Sequence, residues 1–262
     1  MNKIVFYKYH GCGNDFIILD GRNISLQLTP HQINALCERH FGIGSDGLLI
    51  LEDSDDADFR MIFFNPDGSR ATFCGNGGRC ISAFAQKLGV INDKCTFIAD
   101  DGTHHAEIIK NNANTAVVKL SMNDVLKEKN VEGGFLLNTG TEHFVKYIDN
   151  INDFNLNEYG FTMHNNPAMG SKGANINIAE IDANQQINVR TYEKGVFDET
   201  LACGTGAVAA ALTSHNYMRK TNLTVNTKGG SLQVSFKVSD TGYTDVFLTG
   251  GATLVFKGEI SI

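Results

Sequence analysis

The sequence lacks both an excess of basic residues and a long apolar run. Its 262 residues carry 22 Lys and Arg against 29 Asp and Glu, a net charge of −7. Without a basic stripe to face a phosphate backbone, we expect no nucleic-acid partner. The longest stretch without a formal charge, Thr200 to Met218, is continuously apolar only from Ala207 to Leu212. A membrane-spanning helix needs about 20 apolar residues, so we expect no membrane partner either.

Secretion, metal and cofactor signals are also missing. The start of the sequence, Met1–Lys8, has no apolar segment of the kind that signal peptides contain, so we expect no secretory signal and a cytoplasmic location. None of the six cysteines stands in a Cys-x-x-Cys motif, which favours reduced thiols over a disulfide framework or a structural zinc site. No Gly-Lys-Ser/Thr phosphate loop and no Lys-centred pyridoxal site is apparent. We therefore expect neither a metal nor a cofactor.

Short β-type runs dominate the chain. Twelve runs rich in Val, Ile and Phe are separated by Gly, Asn and Asp. Helical patterns interrupt them over Pro30–His40, Asn76–Leu88 and Thr205–Tyr217. With 42% hydrophobic residues, the chain has enough apolar surface for a core. Many strands and few helices predict an α+β fold.

The two halves of the chain resemble each other. Three pairs of segments recur in the same order, 128 or 129 residues apart: Gly11 with Gly140, Phe64-Asn65 with Tyr192-Glu193, and Cys74–Gly77 with Cys203–Gly206. This repeat predicts two related lobes with a boundary near Asn114–Val117. We assign residues 1–116 with 251–262 to the first lobe and 117–250 to the second, because the extended C-terminal segment needs a strand partner.

Each Cys-Gly-x-Gly segment opens a predicted helix. The first N–H groups of a helix lack partners and, with the helix dipole, favour negative charge, while glycines let a ligand approach the backbone. Such a position also lowers the pKa of a thiol from about 8.5 to about 3.5–7.5 in known cases. If both helix starts face one carboxylate, one thiolate can remove its α-proton while the other thiol protonates the opposite face.

Other interpretations of these residues remain open. A buried cysteine is often only a small hydrophobic residue. Gly204–Ala209 fits a G-x-G-x-x-A dinucleotide fingerprint, but no hydrophobic strand precedes it. A cysteine hydrolase using Cys203 with His143 would leave Cys74 unexplained. A non-enzymatic binder of small anions would not need either thiol.

The chain resembles the diaminopimelate epimerases along nearly its whole length. The motifs that carry the resemblance are His10–Phe16, Gly42–Gly47, Asn65–Ser69, Cys74–Cys80, Asn175–Asn177 and Glu199–Gly206. The family interconverts LL- and meso-2,6-diaminopimelate without a cofactor, in lysine and peptidoglycan-precursor synthesis. The resemblance implies a homodimer of chains with two pseudo-symmetric lobes, each a β-barrel-like sheet around a central helix, with the active site in the cleft between them.

The resemblance also assigns roles to individual residues. Cys74 and Cys203 correspond to the two acid/base thiols, and His143 and Glu193 to the residues that hold and polarise them. The remaining predicted residues bind the small-molecule substrate. Gly75, Asn76, Gly204 and Thr205 receive its reacting carboxylate, and Asn14, Asn65, Asn175, Glu193 and Lys194 hold its distal end.

The chain departs from the family pattern at four positions. Thr141 and Glu142 stand where an Asn-Pro pair usually precedes the histidine, Pro66 replaces an alanine, and Lys194 replaces an arginine. Lysine keeps the charge of arginine but loses its two-pronged grip on a carboxylate. These changes leave the thiols untouched and concern the distal end of the substrate. They motivate one alternative, a racemase or epimerase of the same fold that acts on another amino acid.

Overall fold

The computed structural model describes residues 3–22 and 27–261. The chain divides into two compact units. One runs to Leu120 and is completed by residues from Gly250 onward, and the other is Ser121–Thr249. The boundary predicted near Asn114–Val117 lies at the start of a strand, Thr115–Ser121. In the described part of the chain, none of the helices has the length and apolarity needed to span a membrane.

The first unit is a closed ring of strands. Its elements are β1 (Lys3–Gly11), β2 (Asn14–Asp20), α1 (Pro30–Cys37), β3 (Gly47–Glu52), β4 (Phe59–Phe64), β5 (Arg70–Ala71), α2 (Gly75–Lys87), β6 (Lys94–Ala99), β7 (Gly102–Asn112) and β8 (Thr115–Ser121). The last strand of the chain, which spans Gly242–Ser261, contributes its part from Gly250 onward. Pairing runs from β1 through β2, β3, β4, β6, β7 and β8 to the last strand, which pairs again with β1. Eight strands thus leave no open edge in the ring.

The helices α1 and α2 have different environments. From Gly75 to Ala85 every residue of α2 is buried, and the helix contacts β1, β2, β3 and β7. Such burial on all faces is expected of a helix enclosed by a sheet. In contrast, α1 buries only one side, where Ile33 and Leu36 pack with Ile17 and Leu48 of the sheet. Thr29 caps α1 through a capping box with Gln32.

The second unit repeats this order of elements. It contains β9 (Val125–Leu126), β10 (Lys129–Val131), β11 (Gly134–Asn138), β12 (Glu142–Tyr147), α3 (Leu156–His164), β13 (Asn175–Ile181), β14 (Ile187–Glu193), β15 (Asp198–Thr200), α4 (Gly204–Met218), β16 (Asn222–Thr227), β17 (Gly230–Val238) and the beginning of β18 (Gly242–Ser261). In each unit, the two strands that flank the first helix are parallel: β2 with β3, and β12 with β13. A short strand, β5 or β15, precedes the central helix in both units.

The predicted α+β class, with barrel-like sheets around central helices, is confirmed. The pattern over Pro30–His40 yields a helix that ends at Cys37, while the other two patterns yield α2 and α4, shifted or extended by one residue at either end. The sequence patterns missed α3. Its buried stripe is Leu156, Gly160 and Met163, and the glycine interrupts the apolar spacing because the Tyr192 ring occupies the space beside it.

Candidate active site

Each central helix begins at a cysteine. Cys74 is the N-cap of α2 and Cys203 the N-cap of α4, and both have extended backbone angles. The carbonyls of these cysteines accept from Gly78 and Ala207 at 2.7 and 2.9 Å, which starts the helical hydrogen-bond ladder. The thiols therefore stand at the positive ends of two helix dipoles, where negative charge is stabilised. Cys203 is 7% exposed, whereas Cys74 is half-buried.

In the second unit, a chain of polar groups leads to Cys203. Thr205 Oγ1 lies 3.4 Å from Cys203 Sγ and 2.9 Å from His143 Nε2. On its other side, His143 Nδ1 is 3.0 Å from Nδ2 of Asn177, a neighbouring residue on the parallel strand β13. The structure thus brings the predicted His143, Thr205 and Cys203 together and adds Asn177.

The orientation of Asn177 determines the tautomer of His143. The Nδ2 group of Asn177 also faces the carbonyl oxygens of Phe144 at 2.9 Å and Asn175 at 3.3 Å, so it must be the donor. Its Oδ1 accepts from the Thr191 hydroxyl at 2.8 Å. Nδ1 of His143 is therefore an acceptor, and Nε2 carries the proton and donates to Thr205.

His143 is uncharged at neutral pH. The ring is fully buried, and this burial, with the positive charge of Lys194 as a smaller cause, lowers the pKa of His143 from 6.5 to about 3. A neutral ring with a fixed Nε2–H donates a hydrogen bond, and it does not exchange a proton near neutral pH. This limits the predicted role of His143 to polarising and positioning its neighbours.

In the first unit, Asn14 is next to Cys74. Asn14 Oδ1 lies 3.5 Å from Cys74 Sγ and accepts from Asn76 Nδ2 at 3.1 Å. Its Nδ2 donates to the Asp46 carboxylate at 2.9 Å. The structure therefore brings the predicted Cys74, Asn14 and Asn76 together, and Asp46 fixes the orientation of the Asn14 amide.

Arg79 is a functional candidate that the sequence patterns did not single out. Its side chain is fully buried and donates to Asn76 Oδ1 at 2.7 Å and to the Gly75 carbonyl at 3.2 Å. Among the described residues, its Nε is the one buried side-chain nitrogen or oxygen without a hydrogen-bond partner. Burial lowers the pKa of Arg79. The nearby thiols of Cys12, Cys80 and Cys74 act in the opposite direction, Cys12 most strongly.

Other predicted residues lie at strand ends or in turns. Asn175, the first residue of β13, accepts from the backbone N–H of Lys194 at 3.0 Å, and the Lys194 ammonium reaches the Gly173 carbonyl at 3.4 Å. Glu193, the last residue of β14, accepts from the Thr200 hydroxyl at 2.6 Å. The structure places Asn65 in a turn closed by Ser69, whose hydroxyl accepts from Asn65 Nδ2 at 3.0 Å. Glu142 accepts from Asn138 at 3.0 Å.

Sequence reasoning assigned no role to Asn177, Asp46 or Arg79, although all three lie in the motifs quoted above. One signal was available for Asn177. Asn175 and Asn177 alternate with isoleucines in a strand, which places both amides on one face, and both are almost completely buried. Among residues 3–22 and 27–261, no group of three His, Cys, Asp or Glu side chains is arranged to hold a metal ion.

Comparison with known proteins identifies the family. The family model described as diaminopimelate epimerase matches residues 6–127 and 135–255. A diaminopimelate epimerase of Flavobacterium psychrophilum is 44% identical over 97% of this chain and 99% of its own length. That of Chlorobaculum tepidum is 37% identical over 96% of this chain and 99% of its own length.

Solved structures of low sequence identity share the fold. A PhzF-family phenazine biosynthesis protein of Bacillus anthracis superposes with a TM-score of 0.79 at 16% identity, with both chains fully covered. A hydroxyproline epimerase from Agrobacterium vitis has a TM-score of 0.70 at 13% identity, covering 99% of this chain and 93% of its own. These likenesses concern the fold, whereas the family follows from the sequence matches: this chain belongs to the diaminopimelate epimerase family.

Proposed function

We propose that this chain epimerises diaminopimelate at one α-carbon, using Cys74 and Cys203 as the two acid/base groups. The observation that carries the proposal is the duplicated helix start, with a cysteine as the N-cap of the central helix in each unit. The similarity to the diaminopimelate epimerases named above, 44% and 37% identical along almost the whole chain, supports diaminopimelate as the substrate. The proposed reaction interconverts the LL and meso forms.

The reaction balances without a cofactor. A thiolate takes the α-proton, and the electron pair left on the α-carbon spreads into the adjoining carboxylate. Backbone N–H groups at a helix start stabilise the added negative charge. The second thiol then gives its proton to the opposite face of the carbon, so the thiol and thiolate exchange states in each turnover.

The proposal is tested by α-proton exchange. LL-diaminopimelate in D2O under reducing conditions is followed by NMR with wild type, Cys74→Ala and Cys203→Ala. Cys95→Ala is the matched control, because Cys95 is a buried cysteine on β6 whose sulfur contacts Ser82, seven residues after the first residue of α2. We expect the control to retain activity and each of the other variants to lose epimerisation. Full activity in Cys74→Ala would instead indicate a one-cysteine reaction at Cys203.

The departures at Thr141, Glu142 and Lys194 support testing a second substrate class. A panel of single-centre amino acids in the same exchange assay separates a diaminopimelate epimerase from a racemase of the same fold. We propose that the Lys194 ammonium holds the distal carboxylate of diaminopimelate. Lys194→Met then raises KM at least tenfold, while Lys194→Arg, which keeps the positive charge, leaves KM near that of the wild type. Deuterium that enters another amino acid, but not diaminopimelate, would show that the substrate is that other amino acid.

We further propose that the chain acts in the cytoplasm as a homodimer without a nucleic-acid partner. The dimer and the location are what membership of the family implies, and the net charge of −7 supports the absence of a nucleic-acid partner. Analytical ultracentrifugation of the purified chain at micromolar concentration tests the dimer. A single species with the mass of one chain would contradict it.

A further inference from the structure

We propose that Arg79 is a positioning residue that strengthens the binding of a carboxylate at the start of α2, because its buried positive charge lies at the positive end of that helix and has no carboxylate partner among the described residues. The proposal rests on the proposed function and deepens it, since the carboxylate is that of the reacting amino-acid centre. It gives Arg79 neither a contact with the substrate nor a proton transfer.

The guanidinium of Arg79 lies at the start of its own helix. Arg79 is the fifth residue of α2, and the side chains of helical residues point back toward the N-terminus. Its Nη1 donates to the Gly75 carbonyl at 3.2 Å and its Nη2 to Asn76 Oδ1 at 2.7 Å. These are the first and second residues of α2. The positive charge of the side chain therefore adds to that of the helix dipole where the first backbone N–H groups are free to bind an anion.

The charge of Arg79 is not neutralised by an ion pair. An arginine stays protonated in proteins, and this one is fully buried. Within residues 3–22 and 27–261, Arg79 forms no ion pair, and its Nε has no hydrogen-bond partner. After burial, the groups that act most strongly on its pKa are the thiols of Cys12, Cys80 and Cys74, which carry no charge while they are protonated.

The carboxylates in the same polar network are paired with other cations. The network leads from the start of α2 to Asp46 and Asp15. Arg39 Nη2 lies 2.6 Å from the Asp46 carboxylate and 2.8 Å from that of Asp15. Lys8 Nζ lies 2.7 Å from the other oxygen of Asp15. These two carboxylates and two cations balance each other, which leaves Arg79 as an unpaired positive charge.

A buried cation without a counter-ion is costly, and an anion at the start of α2 offsets that cost. In the proposed reaction, the carboxylate of the reacting centre gains further negative charge as the α-proton leaves. A fixed positive charge behind the helix start favours both the binding of the carboxylate and this gain of charge. Because the guanidinium is buried, water and salt screen it less than they screen a surface lysine.

The second unit has no such charge at the corresponding position. Counted from Cys203 as Arg79 is counted from Cys74, the corresponding residue is Val208, which is completely buried in α4. The positive charge that acts on the site of that unit is Lys194, through its effect on the pKa of His143. A cation supplied from within the central helix is therefore specific to α2.

The test compares two alkylating reagents at Cys74. Iodoacetate carries a carboxylate on the carbon that the sulfur attacks, and iodoacetamide carries a neutral amide at the same place. Both react with the thiolate and release iodide, so the ratio of the two rates does not depend on how far Cys74 is ionised. The ratio measures how strongly the surroundings of the sulfur favour a carboxylate. Trypsin leaves Cys74 as the only cysteine in residues 71–79, and mass spectrometry quantifies its label.

Arg79→Met removes the charge with a side chain of similar length, and Arg79→Lys keeps the charge. We expect Arg79→Met to lower the ratio of the iodoacetate rate to the iodoacetamide rate at least about fivefold, and Arg79→Lys to stay within about twofold of the wild type. Arg60→Met is the matched control that leaves the ratio unchanged, because it removes a half-exposed charge paired with Asp100. In Arg79→Met the tryptic peptide extends to Lys87 and includes Cys80, so fragment ions locate the label.

A purely structural role for Arg79 would change both rates alike, and an unchanged ratio in Arg79→Met would therefore overturn the proposal. An equally large loss in Arg79→Lys would also overturn it. The wild type gives a measurement that needs no variant to fold. The ratio at Cys74 in the native chain should exceed that of the same cysteine in urea at least about fivefold, and equal ratios would again contradict the proposal. The assay contains no diaminopimelate, so a lowered ratio in Arg79→Met stands even if the enzyme exchanges none of its α-protons.

Discussion

A methyl group added at Gly206 is predicted to disturb the polar chain behind Cys203. An alanine Cβ at this position lies 2.5 Å from Asn177 Oδ1, 3.1 Å from Thr191 Oγ1 and 3.2 Å from Cys203 Cβ. Asn177 is completely buried and its side chain makes four polar contacts, three through Nδ2 and one through Oδ1, so it cannot move aside without losing some of them. Gly206→Ala therefore forces apart a rigid, fully bonded cluster.

Gly77→Ala is the matched control for this substitution. Gly77 is the third residue of α2, as Gly206 is of α4, so both variants gain the same helix propensity. A Cβ at Gly77 meets only the methyl ends of Met61 at 3.3 Å and Leu49 at 3.4 Å, which can shift by a few tenths of an ångström. The difference between the two variants isolates the cost of the clash from the gain in propensity.

The magnitude follows from overpacking and hydrogen-bond loss. Overpacking a well-filled core costs about 1–3 kcal/mol, and each weakened hydrogen bond about 0.5–1.5 kcal/mol. We expect Gly206→Ala to have a free energy of unfolding about 2–4 kcal/mol lower than Gly77→Ala, measured by urea denaturation. Equal stability of the two variants would refute the geometry assigned to Asn177.

Two further predictions concern pH. Burial lowers the pKa of His143 to about 3, so the stability that the neutral ring contributes is complete above pH 6.5 and is lost as the pH falls toward 3. For the same reason, 15N NMR should show an Nε2–H tautomer that does not titrate between pH 5 and 9. A titration near pH 6.5 would contradict this. Burial raises the pKa of Asp15, but hydrogen bonds from Arg39 and Lys8 outweigh it and lower the pKa to about 2. Asp15→Asn should cost about 2 kcal/mol in urea denaturation at pH 7, a difference that shrinks from pH 4 to pH 2; a constant difference would exclude this origin.

The repeated helix starts could be predicted from the sequence because they are local. A Cys-Gly-x-Gly segment before an apolar periodic stretch specifies a helix N-terminus whatever the rest of the chain does. The duplication then predicted two related lobes, and its spacing of 129 residues between Cys74 and Cys203 also separates the first residues of α2 and α4. Local patterns are sufficient where the physical cause lies within a few residues.

The groups that orient the site could not be predicted in this way. Asn177 reaches His143 from 34 residues away, and Asp46 reaches Asn14 from 32 residues away. Both contacts depend on parallel strand pairs, β12 with β13 and β2 with β3, and each pair is joined by a connection that contains a helix. The sequence marks these side chains as polar residues in or near buried strands, but their partners follow from the tertiary pairing.

The same residue type at two helix starts therefore does not imply the same chemistry at both. A two-base reaction requires one thiol and one thiolate at a time. The helix dipoles act alike on both thiols, because α2 and α4 both begin at a cysteine. The contacts of the two sulfurs differ at the second helical residue and its partners. In the first unit Asn76 directs a carbonyl oxygen to the sulfur through Asn14, and in the second Thr205 directs a hydroxyl.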